Sequence, residues 1–193
     1  DKVLEPSAGD GAMARFVPEE VDLTVIEPSY TLRSRLSVSV PRARVVDSEF
    51  EQFSNVNKFN IVLMNPPYGH AGKTAAEHIK KAYDSHLKQG GRIIAIVPDG
   101  KFMERLDDIN LEKNEKGEFV RPGFTITANI KLPSITFTKA GTSVNTRLIV
   151  IDKVPSVEMV ENTIKKRQNT MMMTVRGFKM MSAEEIRQEA ERI

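Results

Sequence analysis

Two consecutive prolines stand at the end of an apolar run, where Ile61-Val62-Leu63-Met64 leads straight into Asn65-Pro66-Pro67-Tyr68. Neither proline offers an N–H to a sheet ladder, and the residue before a proline is pushed toward extended geometry. A strand arriving here must stop at Asn65 and present that side chain and the next carbonyls from a stiff corner. An amide oxygen beside a backbone carbonyl makes a paired acceptor for an –NH2 group, and Tyr68 can supply a flat face. That constellation points to chemistry on an amino group carried by a planar ring.

The rest of the chain alternates short β-rich runs with helix-like stretches. The pattern predicts strands at Lys2–Glu5, Leu23–Glu27, Arg44–Asp47, Asn60–Met64, Arg92–Val97, Phe124–Leu132 and Arg147–Asp152. Helices are expected at Ala12–Phe16, Thr31–Ser37, Ala75–Lys88 and Gly100–Leu106. In Ala75–Lys88 one stripe carries Ala75, Ile79, Ala82, His86 and Leu87, and Gly90-Gly91 reads as its C-terminal cap. This alternation argues for an α/β domain with a largely parallel sheet, whose ligands sit beyond the carboxyl ends of the strands. The regular pattern closes near Asp152, after a polar excursion at Asn110–Gly123, so residues 1–153 are expected as one domain and 154–193 as a C-terminal extension. In the extension Met171–Met173 reads as core or strand, Lys165-Lys166-Arg167 as a solvated face, and a capped helix is expected from Ser182, paired with Glu185.

Composition removes several classes of chemistry. The 193 residues contain no cysteine, which excludes disulfides, thiolate catalysis and cysteine zinc sites. A formal net charge of +2 is too balanced to predict tight nonspecific nucleic-acid binding from the whole-chain field. No apolar run approaches a membrane-spanning length, and a cytoplasmic protein without membrane partners is the simplest expectation. No spacing of His, Asp and Glu suggests a metal site. His70 follows the proline corner and is expected to line it, whereas His78 and His86 belong to a helix.

Carboxylates recur at the strand ends. The first strand runs into Glu5-Pro6-Ser7-Ala8-Gly9-Asp10-Gly11, whose glycines permit a tight turn and close backbone approach to a nucleoside-containing ligand. Gly9-x-Gly11-x-x-Ala14 also fits a dinucleotide fingerprint, and the plainer reading is a strand-to-helix turn. Glu5 would repel a pyrophosphate there and welcome an ammonium group. Glu27-Pro28 ends the second strand with an acid able to accept both ribose hydroxyls, or else simply solvated. Asp47 ends the third, where it can accept from an adenine amino group with Phe50 packed on the ring, or cap a helix.

Taken in order, Glu5-Pro6-Ser7-Ala8-Gly9-Asp10-Gly11, Glu27, Asp47 and Asn65-Pro66-Pro67-Tyr68 resemble the S-adenosylmethionine-dependent N6-adenine DNA methyltransferases. The resemblance runs from roughly Lys2 to Lys153 and extends to Leu132–Phe137 and Gly141–Leu148, similar to that family's late aromatic motif and final hairpin. It implies a Rossmann-like class I methyltransferase: a mostly parallel seven-stranded sheet, helices on both faces and a final antiparallel hairpin. By the same resemblance Glu5, Pro6, Ser7, Ala8, Gly9 and Gly11 hold the methionine part of S-adenosylmethionine, Glu27 and Pro28 the ribose, and Asp47 with Phe50 the adenine. Asn65 and the Pro66 carbonyl accept from the target amine, Asn65 also lying against the cofactor. Pro67, Tyr68 and Phe137 hold an adenine base flipped out of DNA. Members of this order carry a further cofactor-contacting segment ahead of the glycine loop. Against that resemblance, either this sequence is a fragment or one wall of the cofactor pocket is missing, and an additional domain or partner is a candidate source of target recognition.

Other acceptors fit the same corner, because it recognises –NH2 rather than adenine. A protein glutamine amide or an RNA base amine is the nearest alternative, and Phe137, as a second flat face, favours a base. A noncatalytic nucleic-acid- or partner-binding domain of the same fold is a reading of a different class. A nicotinamide oxidoreductase comes last, since nothing about Asn-Pro-Pro-Tyr serves hydride transfer.

Overall fold

A computed structural model describes residues 1–110, 125–133 and 145–153, all within a compact unit spanning Asp1–Val154. The elements are β1 (Lys2–Glu5), β2 (Asp22–Ile26), α1 (Tyr30–Ser39), β3 (Arg44–Val46), β4 (Phe59–Met64), α2 (Lys73–Lys81), β5 (Leu87–Pro98), α3 (Lys101–Asn110), β6 (Thr125–Lys131) and β7 (Thr146–Asp152). The expectations for Phe137, for Met171–Met173, for the basic run 165–167 and for a helix from Ser182 lie outside the described residues.

The sheet has seven strands in the order β3-β2-β1-β4-β5-β7-β6. All neighbours from β3 to β5 are parallel, and β7 runs antiparallel to both β5 and β6. The chain builds outward from β1 to β3, then returns to lay β4 on the other side of β1. Strand order reverses there, so the carboxyl ends of β1 and β4 open onto a shared crevice. The pairing Leu4↔Val62 sets Glu5 level with Leu63, two residues before Asn65.

Alternation along the strands fills both faces. Leu4, Ile26, Val62, Met64, Ile93, Ala95, Val97, Ile149 and Ile151 face the core shared with Ile79, Phe102 and Leu106 of the helices. Val3, Leu23 and Val25 pack on the opposite face with Leu36 of α1 and Val40 beyond it. On that second face an apolar cavity of about 350 Å³ lies among Val3, Met13, Phe16, Val17, Ile61 and Leu63.

Three local expectations are corrected. The helix expected at Ala12–Phe16 is one 3-10 turn, Ala14–Phe16. Val17 is already extended at ψ 132 because Pro18 follows it. The long helix expected at Ala75–Lys88 starts earlier, at Lys73, and ends its α-helical part at Lys81. A π turn, Ala82–His86, follows, and its widened winding still buries Ala82 and His86 with Ala75 and Ile79. Gly90 and Gly91 are therefore not a helix cap. Gly90, at φ +73, and Gly91 lie where β5 changes register from Phe59↔Leu87 to Ile61↔Arg92. A Cβ on Gly91 would lie 2.8 Å from the Asn60 carbonyl oxygen, so this bulge needs glycine.

Candidate active site

Glu5 closes β1 and is 1 % exposed, with Oε2 lacking a hydrogen-bond partner among the described residues. Burial pushes its carboxyl up to about 8, and the Ala14 backbone N–H offsets part of that rise. An orphaned acceptor beneath a glycine turn is a vacancy for a donor that carries positive charge, because such a donor recovers the lost solvation. Pro6 and Ala8 are buried beside it, and Ser7 is half-buried. Ala8 ties the turn to β2 by donating to the Ile26 carbonyl at 3.0 Å and accepts from Gly11 at 2.9 Å. Gly9 and Gly11 adopt φ +58 and +88. No described residue lies within 4 Å of a Cβ built on Gly9, which leaves the turn open on that side among the described residues. A Cβ on Gly11 would meet Ser39 and Leu36 at 2.8 and 2.9 Å, which makes Gly11 the seat of α1.

Glu27 follows β2 and is 7 % exposed. Its Oε2 accepts from the Gly9 N–H at 2.9 Å and its Oε1 from the Ser29 N–H at 2.8 Å. Each oxygen keeps a second lone pair, so the carboxylate can hold both loops and still accept from a ligand hydroxyl. Pro28 is exposed next to it, and Ser29 caps α1 by accepting from Leu32 at 3.5 Å.

Arg33 is the residue the sequence reading missed. From the first turn of α1 its Nη1 donates to the carbonyls of Glu27 at 2.9 Å and Pro28 at 2.6 Å, and pairs with Asp47 Oδ1 at 2.6 Å. One half-buried guanidinium thus clasps the ends of β2 and β3. The available signal was its place one turn after Ser29, as the cation between two acidic strand ends. Asp47 is exposed and held by this ion pair, so an adenine amine there would meet a carboxylate already shared with Arg33.

The adenine-stacking role expected for Phe50 is corrected. Phe50 is 2 % exposed, with its ring edge-on to His78 at 5.2 Å, tilted on His86 at 5.4 Å, and with Lys81 Nζ 5.4 Å from its centroid. The backbone bonds from Phe53 back to Glu49 and Phe50 close a turn that drives the ring into the core beside α2. His78 Nε2 donates to the Glu51 carboxylate Oε1 across 2.7 Å, and His86 is driven down to about 4, chiefly by burial and then by the Lys81 and Lys58 charges. These histidines are core groups, and His70 is exposed in the turn after the proline corner.

At the corner, Pro66 is buried, Asn65 and Tyr68 are half-buried, and Pro67 is exposed. Among the described residues the Asn65 side chain has no hydrogen-bond partner. Burial raises the Tyr68 phenol above its ordinary range, so the ring is neutral. Across the sheet, Asp99 after β5 is paired with Arg147 at 2.7 Å and Lys131 at 3.7 Å, which holds its carboxyl below the usual carboxylate range. No group of acids and histidines among the described residues could hold a metal ion, and no helix among them is long and apolar enough to cross a membrane.

The strand order and the antiparallel β7 are those of the class I S-adenosylmethionine-dependent methyltransferase fold, and solved structures agree. A candidate class I S-adenosylmethionine-dependent methyltransferase from Listeria monocytogenes superposes with a TM-score of 0.63 at 15% identity, covering 81% of this chain and 54% of that one. A methyltransferase from Pyrococcus furiosus gives 0.54 at 21% identity, over 79% and 74% of the two chains. The fibrillarin pre-rRNA processing protein of Methanococcus jannaschii gives 0.56 at 16% identity, over 80% and 67%. The chain thus spans about half the length of the Listeria protein. No protein-family model and no curated protein matches the sequence.

Proposed function

We propose that this chain is an S-adenosylmethionine-dependent methyltransferase acting on an exocyclic amine, with N6 of adenine in DNA as its acceptor. The observation that carries the reading is the juxtaposition across the β1–β4 crevice. The orphaned Glu5 oxygen under an open glycine turn ends the strand next to β4, two residues short in register of the Asn65 corner, whose amide has no partner among the described residues.

The residues present fit the cofactor at its methionine end. Glu5 offers its vacant acceptor to the ammonium, Gly9 leaves the turn open, and Glu27 keeps lone pairs for the ribose. When bound, S-adenosylmethionine supplies an electrophilic methyl group on a sulfonium. An aromatic amine is a poor nucleophile because its lone pair is delocalised into the ring. The Asn65 amide oxygen and the Pro66 carbonyl accept its two hydrogens and favour the pyramidal form whose lone pair is free. The neutral Tyr68 ring offers a face for a flat base. A base inside a duplex must leave the stack to reach the corner.

Methyl transfer from labelled cofactor to adenine-containing DNA, to RNA and to protein tests the reading and separates the acceptors. N6-methyladenine in DNA is the expected product. Label in RNA or in a protein glutamine amide would move the acceptor and keep the corner's chemistry. Absence of label in all three would overturn it.

A further inference from the structure

Beyond the corner the backbone is wound unfavourably. Gly69, Ala71 and Gly72 have φ of +64, +49 and +77, and Ala71 is the one non-glycine residue with positive φ among the described residues. A side chain in this region costs on the order of 1–2 kcal/mol, so neighbours must hold it there.

Those neighbours come from α3. Arg105 Nε donates to the Ala71 carbonyl at 3.0 Å. Phe102 closes over Gly72, where a Cβ would fall 2.7 Å from the Phe102 Cβ. The turn's far end is fixed by the Ala75 N–H, which reaches back to the Tyr68 carbonyl at 3.5 Å.

We infer that Arg105 is a positioning residue, whose bond to Ala71 holds the strained Gly69–Gly72 turn in the shape that presents Asn65–Tyr68 to the acceptor. The function of the turn rests on the acceptor reading above, and its shape does not. Arg105 acts on the backbone three residues beyond Tyr68, at Ala71, and needs no contact with cofactor or substrate.

The test compares Arg105→Met, which keeps the stem and loses every N–H, with Arg105→Lys, which keeps one donor at similar reach. In Arg105→Met, hydrogen exchange of amides in residues 69–76 should quicken about tenfold, with β1, β2 and β4 unchanged. Its kcat should fall by about tenfold to a hundredfold, with cofactor affinity and acceptor KM held. Arg105→Lys should recover both readouts in part. Unchanged exchange would overturn the proposal. So would faster exchange without loss of kcat, or a joint loss of kcat, KM and cofactor affinity. If the native enzyme methylates no amine, the acceptor reading fails, and the exchange arm still decides whether Arg105 holds the turn.

Discussion

The carboxylate of Glu27 accepts the backbone N–H of Gly9 at 2.9 Å, which fastens the end of β2 to the glycine turn after β1. Its other oxygen takes the Ser29 N–H at 2.8 Å, so one buried acid shapes both the turn and the start of α1. Glu27→Ala strands two donors and should lower unfolding free energy by about 2–4 kcal/mol in urea titration. Cofactor binding should be lost in calorimetry on the folded variant. Full stability in the variant would refute this account of Glu27.

Glu5 gives a pH signature. Burial raises its folded carboxyl from the ordinary 4.5 to about 8. A raised carboxyl contributes stability that is fully present below the unfolded value and is lost as pH rises toward the folded one. Glu5→Gln should therefore gain on the wild type by about 2–4 kcal/mol between pH 4.5 and 8. Placing an ammonium on Glu5 favours its charged form. Cofactor binding near pH 7 should release a proton, seen as a binding heat that varies with buffer ionisation enthalpy. A buffer-independent heat would contradict the Glu5 assignment.

His86 gives the opposite sign. Its imidazole is driven from 6.5 down to about 4 inside the core, so the unfolded chain binds a proton there that the folded chain refuses. Stability from keeping it neutral is complete above pH 6.5 and falls away toward pH 4. His86→Phe should remove an acid sensitivity of about 2–3 kcal/mol across that window, read from chemical denaturation at each pH. Parallel pH curves for the two proteins would show that His86 is not the titrating group.

Two glycines separate strain from contact. Gly72 and Gly90 share positive φ, +77 and +73, but only at Gly72 does a Cβ meet a neighbour, Phe102 at 2.7 Å. Gly90→Ala should cost about 1–2 kcal/mol, the left-handed penalty alone. Gly72→Ala should cost about 2–5 kcal/mol, because α3 must also shift. Equal losses would mean that α3 does not rest on the turn.

What the chain reveals of itself follows the range of the rule involved. The end of β4 at Met64 is legible because two prolines act on their own backbone, and the seven strands are legible from local alternation. Glu5 at the end of β1 and Glu27 just after β2 are legible because a strand's length places them. The inward turn of Phe50 is not, since it depends on His78, His86 and Lys81, residues 28 or more positions away. Arg105 is silent, and Arg33 shows only its place one turn after Ser29. Their meaning lies in carbonyls that only the folded chain brings near. The stop of α2 at Lys81 was hidden because the stripe through Ala82 and His86 continues through a π turn.

The central claim is that Asn65 handles the acceptor amine and not the cofactor's affinity. It is tested most directly by measuring, on the same samples of wild type and Asn65→Ala, cofactor affinity and the single-turnover rate of N6-methyladenine formation in DNA. The account predicts affinity held within about threefold and a rate lower by about a hundredfold or more. Equal loss of both, or an unchanged rate, would contradict it.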